Sequence, residues 1–144
     1  MLRLLCVTAH PDDEAGGFGG SLLLYRQRGV ETYVICLTPG QAATHRGKAN
    51  SDEELAAQRR REFQNACRIL NLTRGEVLGY PDAALDRADF YRVVEDLVLR
   101  IRTIRPQVIL TLGPALGAAL HSKTGAGFVQ VDQHPESLFC NGAK

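Results

Sequence analysis

Strand-like and helix-like segments alternate along the chain, and this alternation constrains the fold more than any other feature. Segments rich in Leu, Val and Ile, typical of buried strands, occupy residues 2–9, 30–38, 76–80 and 108–112. Apolar residues recur at helical spacing between them, over residues 14–28, 52–70 and 87–104. Because such alternation produces right-handed βαβ units, it predicts an α/β fold, a Rossmann-like three-layer α/β/α sandwich with a mostly parallel sheet.

The helical segments carry further local signals. Ser51 and Glu54 have the spacing of a capping box, which predicts a helix that begins at Asp52. Four glycines within residues 16–20 lower the helix propensity of the first segment, so we expect the backbone there to approach a neighbouring strand or a ligand. In the third segment the spacing predicts one inner face, formed by Phe90, Val94, Leu97, Val98 and Ile101.

Composition and charge narrow the class of protein. The 144 residues fit a single domain, 1–144, and the net charge of +1 predicts no attraction to nucleic acid or to acidic membranes. Arginines cluster at 59–61 and at 100, 102 and 105, where we expect solvated helix faces.

The four cysteines are scattered, which indicates reduced core residues. No apolar run suits a signal peptide or a membrane span. We therefore expect a cytoplasmic protein.

The carboxyl-terminal part lacks this regularity. From Pro114 to Lys144 there is no clear hydrophobic period and no closing helix is predicted, so we expect a loosely ordered tail. A sheet that lacks strands at its carboxyl end would keep an exposed edge, which favours aggregation or a partner, such as a second copy of the chain in a homo-oligomer.

A histidine and three acidic residues lie within five positions directly after the first strand. They are His10, Asp12, Asp13 and Glu14. Carboxylates side by side repel one another, so protons, hydrogen bonds or a cation must compensate for them. His10 and Asp13 can face one point across a turn and suit zinc, which leaves Asp12 as a general base and Glu14 as a helix-start acid. The residues alone leave a second interpretation open, a helix N-terminus whose dipole favours acids.

A glycine-rich turn between strand and helix also suggests a dinucleotide site. Its fingerprint G-x-G-x-x-G, begun at Gly17, would need glycine where Leu22 stands. The second strand ends in Leu37-Thr-Pro39, without the acidic residue that binds a ribose. The sequence therefore disfavours a nicotinamide cofactor.

The residues Ala9-His-Pro-Asp-Asp-Glu14 resemble the hallmark motif of the PIG-L/LmbE family of zinc-dependent N-deacetylases. Weaker matches follow in the family's order, at Gly19-Gly20, Leu37–Gly40, Arg59 with Glu62 and Ala66, Leu78–Asp82 and Arg105–Thr111. The resemblance covers residues 2–114 and leaves 115–144 as a divergent tail.

The resemblance implies a reaction and a set of roles. Members of this family hydrolyse the acetamide of an N-acetylated amino sugar, such as an N-acetylglucosaminyl conjugate, so we expect Zn²⁺ as cofactor and a small-molecule substrate. By position, His10 and Asp13 would be metal ligands and Asp12 the catalytic base. Arg59 and Asp82 would bind substrate or organise the site.

The tail departs from the family pattern. His121 can be laid on the catalytic histidine that stabilises the oxyanion, but Thr124 stands where the third zinc ligand is expected, and Ala115 replaces an acid. His134-Pro-Glu136 could supply a ligand instead, and Gln41 stands where the family often has Glu. The family's remaining strands and substrate-binding part have no counterpart, so we expect a fold that is incomplete at its carboxyl end and an impaired activity.

The sequence leaves two other function classes open. A non-catalytic α/β remnant or binding module would keep the scaffold without a complete metal site, and a nucleotide-binding module comes third. Bound zinc together with acetate release that depends on His10 would separate the deacetylase from both.

Overall fold

The computed structural model describes residues 1–112 and the backbone of residues 127–130. A 3₁₀ turn spans Leu85–Arg87. Among the described residues, no helix is both long and apolar enough to cross a membrane. The elements in chain order are β1 (Arg3–Thr8), α1 (Asp13–Gly16), α2 (Gly19–Gln27), β2 (Glu31–Cys36), α3 (Asp52–Ile69), β3 (Arg74–Val77), α4 (Phe90–Ile104), β4 (Val108–Thr111) and β5 (Gly127–Gln130).

The five strands form one parallel sheet in the order β3-β2-β1-β4-β5. β1 is central, and its Cys6 pairs with Val34 of β2 on one side and with Leu110 of β4 on the other. The predicted α/β class with a parallel sheet is confirmed. β5 is not among the predicted strands, because four residues are too few to establish a hydrophobic period.

Helices cover both faces of the sheet. Leu4 of β1 packs with Leu22 of α2 and Phe63 of α3 on one face. Leu5, the next residue, points to the opposite face and packs with Leu97 of α4. Side chains alternate along a strand, so two apolar cores form from one run of residues, and the predicted three layers result.

The first predicted helix is two helices rather than one. α1 ends at Gly16 and α2 begins at Gly19, with Phe18 buried between them at 2% exposure. Glycines weaken the helix at this point, and the break lets Phe18 enter the core. Within the described part of the chain, a Cβ added at Gly16 or Gly20 would meet no atom within 4 Å. The expected approach to a neighbouring strand is therefore wrong at those two glycines, and the expected approach to a ligand stays a prediction.

The predicted cap of α3 is present in altered form. The Ser51 hydroxyl accepts a hydrogen bond from the Glu54 amide at 3.2 Å, as a capping residue does. The Glu54 carboxylate, however, accepts from the Asn50 amide at 2.8 Å rather than from Ser51. The second hydrogen bond of the capping box, from a backbone amide to the Glu54 side chain, thus begins one residue earlier than expected.

The bounds of β3 and α4 differ from the prediction. β3 spans Arg74–Val77 instead of 76–80, and α4 begins at Phe90 because the Asp89 carboxylate accepts from the Tyr91 amide at 3.0 Å and caps it. Phe90, predicted on the inner face, is 59% exposed. The buried positions of α4 are Val93, Leu97 and Ile101.

Three of the clustered arginines bind other elements instead of lying on solvated helix faces. Arg60 donates to the Val77 carbonyl at 2.8 Å and ties α3 to the end of β3. Arg100 of α4 forms an ion pair with Glu76 of β3 at 2.6 Å. Arg59 reaches the turn after β1. The predicted solvated faces are wrong at these positions, since periodicity does not register the reach of a long side chain.

The cysteines that the structure describes are free thiols. Cys6 and Cys36 are buried and Cys67 is half-buried, in agreement with the prediction of reduced core residues, whereas Cys140 lies outside the described residues. Burial raises the pKa of the Cys36 thiol to about 12 and that of Cys67 to about 11. These groups stay protonated at neutral pH and behave as core side chains.

Candidate active site

The turn that carries the acidic motif lies at the carboxyl edge of the sheet. β1 ends at Thr8, whose carbonyl accepts from the Leu37 amide at 2.9 Å. The Thr38 hydroxyl donates to the Ala9 carbonyl at 2.9 Å, so the segment after β2 is fastened to the turn after β1. Open α/β sheets bind their ligands at this edge, beyond the ends of the central strands.

The His10 ring lies between two carboxylates. Its Nε2 is 2.9 Å from Asp82 Oδ1, and its Nδ1 is 3.7 Å from Asp13 Oδ2. The same Asp13 oxygen accepts from the His10 amide at 2.9 Å. The structure therefore brings together three of the predicted site residues, two from the turn after β1 and one from the loop after β3.

Asp82 fixes the histidine ring. Its side chain is 9% exposed, and its two oxygens also accept from the Ala42 amide at 3.0 Å and the Ala83 amide at 2.8 Å. An ionised carboxylate only accepts hydrogen bonds, so the ring proton belongs on Nε2. In the neutral ring, Nδ1 of His10 then carries the lone pair and faces Asp13.

This arrangement fits two ligands of a zinc ion. Zinc bonds nitrogen and oxygen at about 2.0–2.2 Å, so two ligands of a tetrahedral ion lie about 3.4 Å apart, close to the 3.7 Å between His10 Nδ1 and Asp13 Oδ2. Histidines that bind metal usually donate their other ring N–H to a carboxylate, as His10 does to Asp82.

A third ligand is not found among the described residues. There, no group of three or more His, Cys, Asp or Glu side chains is arranged to hold a metal. His121, the predicted second catalytic residue, and the tail positions Thr124 and His134 lie outside the described residues.

Asp12 stands beside the His10–Asp13 pair in a strained conformation. Its φ of 124° is one that residues with a side chain rarely adopt. Arg59 of α3 donates to Asp12 Oδ2 at 2.9 Å and to the Pro11 carbonyl at 2.5 Å. The Asp12 side chain remains 71% exposed, so water and a substrate can reach it.

Gly40 makes room for this arginine. A Cβ at Gly40 would lie 2.8 Å from Arg59 Nε, and the residue has a φ of 68°, which glycine adopts without strain. Within the described chain, Arg59 Nε is buried without a hydrogen-bond partner, and so is Oε1 of the adjacent Gln41. The predicted substrate-binding arginine thus keeps one free donor beside the motif.

Glu14 has a role that the sequence does not indicate. It lies in the first turn of α1, as expected, but it is 1% exposed. Its carboxylate accepts from the Asp12 amide at 3.0 Å, and burial raises its pKa. Glutamates are rarely buried so completely, and the signal in the sequence was only its place in an acidic run.

A cavity of about 190 Å³ adjoins the turn. It lies between the turn and α3 and is lined by Pro11, Asp12, Glu14, Arg59, Glu62 and Phe63, among others. A second cavity, of about 220 Å³, lies between β2, β3 and α4, and none of the predicted site residues lines it. Of these two cavities, the first is therefore the one that adjoins the motif.

Comparison with known proteins identifies the family. The model of the PIG-L family, GlcNAc-PI de-N-acetylase, matches residues 5–131. The chain belongs to the PIG-L family. The match extends beyond residue 114, where the recognised motifs end, and so includes β5.

Named relatives of this PIG-L chain are deacetylases and amidases. It is 32% identical over 118 residues to the Bacillus cereus protein named "Probable N-acetyl-alpha-D-glucosaminyl L-malate deacetylase 2", covering 80% of the chain and 53% of the relative. It is 32% identical over 130 residues to the mycothiol S-conjugate amidase of Streptomyces coelicolor, covering 77% and 44%. The chain spans about half the length of the curated relatives it matches.

A solved structure has the same fold. The N,N'-diacetylchitobiose deacetylase from Pyrococcus horikoshii, complexed with an inhibitor, superposes with a TM-score of 0.70 at 31% identity. The superposition covers 85% of this chain and 46% of that one. The α/β architecture of the PIG-L chain is therefore that of a deacetylase of known structure.

Proposed function

We propose that this PIG-L chain is a zinc-dependent hydrolase that removes an acetyl group from an N-acetylated amino sugar, such as an N-acetylglucosaminyl conjugate. The observation that carries the proposal is the His10 ring, held by Asp82 through Nε2 with Nδ1 directed to Asp13. It has the form of a metal-binding histidine with its supporting carboxylate. An exposed carboxylate, Asp12, stands next to it.

His10 and Asp13 would hold the metal. When bound, zinc supplies Lewis acidity, which polarises a carbonyl and lowers the pKa of a bound water towards about 7. Asp82, whose side chain is 9% exposed, would orient the His10 ring. His121, assigned from the sequence alone, is proposed as the second catalytic residue, which stabilises the oxyanion.

Asp12 would act as the general base. It is accessible, and Arg59 holds one of its oxygens at 2.9 Å, which fixes the direction of the other. A base so placed accepts a proton from the attacking water and returns it to the leaving amine. Arg59, whose side chain is 17% exposed beside the same turn, is proposed to bind an oxygen of the substrate.

The relatives support the proposed substrate class. Their names describe hydrolysis of an acetamide or amide, on a glucosaminyl malate, a mycothiol conjugate or diacetylchitobiose. For this chain we propose a substrate that contains an N-acetylated amino sugar. The three cysteines that the structure describes are free thiols, which suits the cytoplasmic location that we propose.

The test compares metal content and turnover in matched variants. We expect wild-type protein to bind one zinc and to release acetate from an N-acetylglucosaminyl conjugate, and His10→Ala to lose both. His45→Ala removes an exposed loop histidine and should leave both unchanged. Wild-type protein that is metal-free and inactive would contradict the proposal and favour the non-catalytic scaffold.

A further inference from the structure

Glu14 is buried at a place where a carboxylate is costly. It is 1% exposed, and in the part of the chain that the structure describes it forms no ion pair with Lys, Arg or His. The carboxylates of Asp12 and Asp13 precede it directly. A buried acid without a cation disfavours folding, so its presence calls for a contact that an apolar residue could not make.

That contact is the amide of Asp12. A Glu14 oxygen accepts from it at 3.0 Å. The carbonyl of Asp12 accepts in turn from the Ala15 amide at 3.1 Å and the Gly16 amide at 2.8 Å, and its carboxylate binds Arg59. The amide, the carbonyl and the carboxylate of Asp12 therefore all form hydrogen bonds. Glu14 accepts from the amide, and the N–Cα bond of Asp12 has the strained φ of 124°.

We propose that Glu14 is a positioning residue, which holds the backbone of Asp12 in its strained conformation and so aims the Asp12 carboxylate. The proposal rests on the proposed function in taking Asp12 as the base. Strained residues persist only where their surroundings fix them. Arg59 acts on the carboxylate and on Pro11, so Glu14 is the contact that acts on the Asp12 amide itself.

Two substitutions separate this role from simple packing. Glu14→Gln keeps a side-chain oxygen that can accept from the Asp12 amide, whereas Glu14→Met keeps the length of the side chain and removes the acceptor. Both remove the carboxylate. A difference between them therefore reports the hydrogen bond and not the charge or the filled volume.

Hydrogen exchange of the Asp12 amide, followed by NMR on the full chain, tests the contact without metal or substrate. We expect E14M to exchange at least about tenfold faster than wild type at Asp12 and E14Q to stay within about threefold. The Leu22 amide, which donates to Phe18 at 2.9 Å, is the internal control. Unchanged exchange in E14M, or equal acceleration in both variants, would overturn the proposal.

Kinetics test the consequence for catalysis. E14M should lower kcat about 10- to 100-fold with KM unchanged, and E14Q should restore most of kcat, since a displaced base slows the chemical step without weakening substrate binding. Loss of kcat to the same extent in both variants would contradict the positioning role. Wild-type protein without turnover would refute the proposed function, and the exchange of the Asp12 amide would still decide the role of Glu14.

An E14M protein that does not fold is tested with Asp12→Gly added. Glycine adopts a φ of 124° without strain, so the double variant should fold again if Glu14 serves to hold this conformation. Failure of the double variant to fold would show a role in packing alone and overturn the proposal.

Discussion

Removal of the Asp82 carboxylate should destabilise the protein and weaken zinc binding together. In Asp82→Ala, the His10 ring and the amides of Ala42 and Ala83 lose their acceptor at distances of 2.8–3.0 Å. A hydrogen bond to a charged group contributes about 1.5–3 kcal/mol, but water can replace the acceptor at the two exposed amides. We therefore expect a loss of about 1.5–3 kcal/mol, the contribution of the bond to His10.

The metal site should respond through the ring of His10. A carboxylate that supports a metal-binding histidine typically contributes 10- to 100-fold in metal affinity, so we expect Asp82→Ala to raise the zinc Kd by about that factor. Urea unfolding measures the stability, and competition with a chromophoric chelator measures the affinity.

Asp86→Ala is the matched control. It removes the same charge four residues along the same segment, from an exposed side chain, and should change stability by no more than about 0.5 kcal/mol. Zinc affinity in Asp82→Ala equal to that in Asp86→Ala would refute the role of Asp82 in orienting His10.

Two further substitutions test the packing and the charges of the scaffold. Gly75→Ala should destabilise by about 1–3 kcal/mol in urea unfolding, because a Cβ there would overlap the Cys67 sulfur, whereas Gly20→Ala, in open helix surface, should stabilise by up to about 1 kcal/mol. The Arg100 guanidinium lowers the pKa of Glu76 below its usual 4.5. The Glu76–Arg100 ion pair thus contributes to stability above pH 4.5, and this contribution is lost as the pH falls through the lowered pKa. In Glu76→Gln, the urea midpoint should depend less on pH over that acid range. Equal midpoints for the two glycine variants, or an acid dependence unchanged in Glu76→Gln, would contradict these expectations.

The order of the elements was readable from the sequence because strand and helix periods are local properties. Leu4 and Leu5 indicate a strand buried on both faces, and Ser51 indicates where α3 begins. The structure contains this strand and this helix start. The break at Phe18 and the short β5 depend on tertiary packing and pairing, which no local period contains.

The proximity of His10, Asp13 and Asp82 was predictable from the sequence, but their contacts were not. The acidic motif placed His10 and Asp13 together, and the resemblance added Arg59 and Asp82 from distant positions. That Asp82 binds the ring at 2.9 Å follows from the course of two loops. The burial of Glu14 could not be read from the sequence either, since an acid in a helix's first turn is usually explained by the helix dipole.

The most direct test of the proposed activity is acetate release by the zinc-loaded chain. We expect wild-type protein to release acetate from an N-acetylglucosaminyl conjugate, and Asp12→Asn, which keeps the size of the side chain but not its basicity, to be slower by at least about 100-fold with its zinc content unchanged. Equal acetate release by wild type and Asp12→Asn, or none by zinc-loaded wild type, would contradict the account.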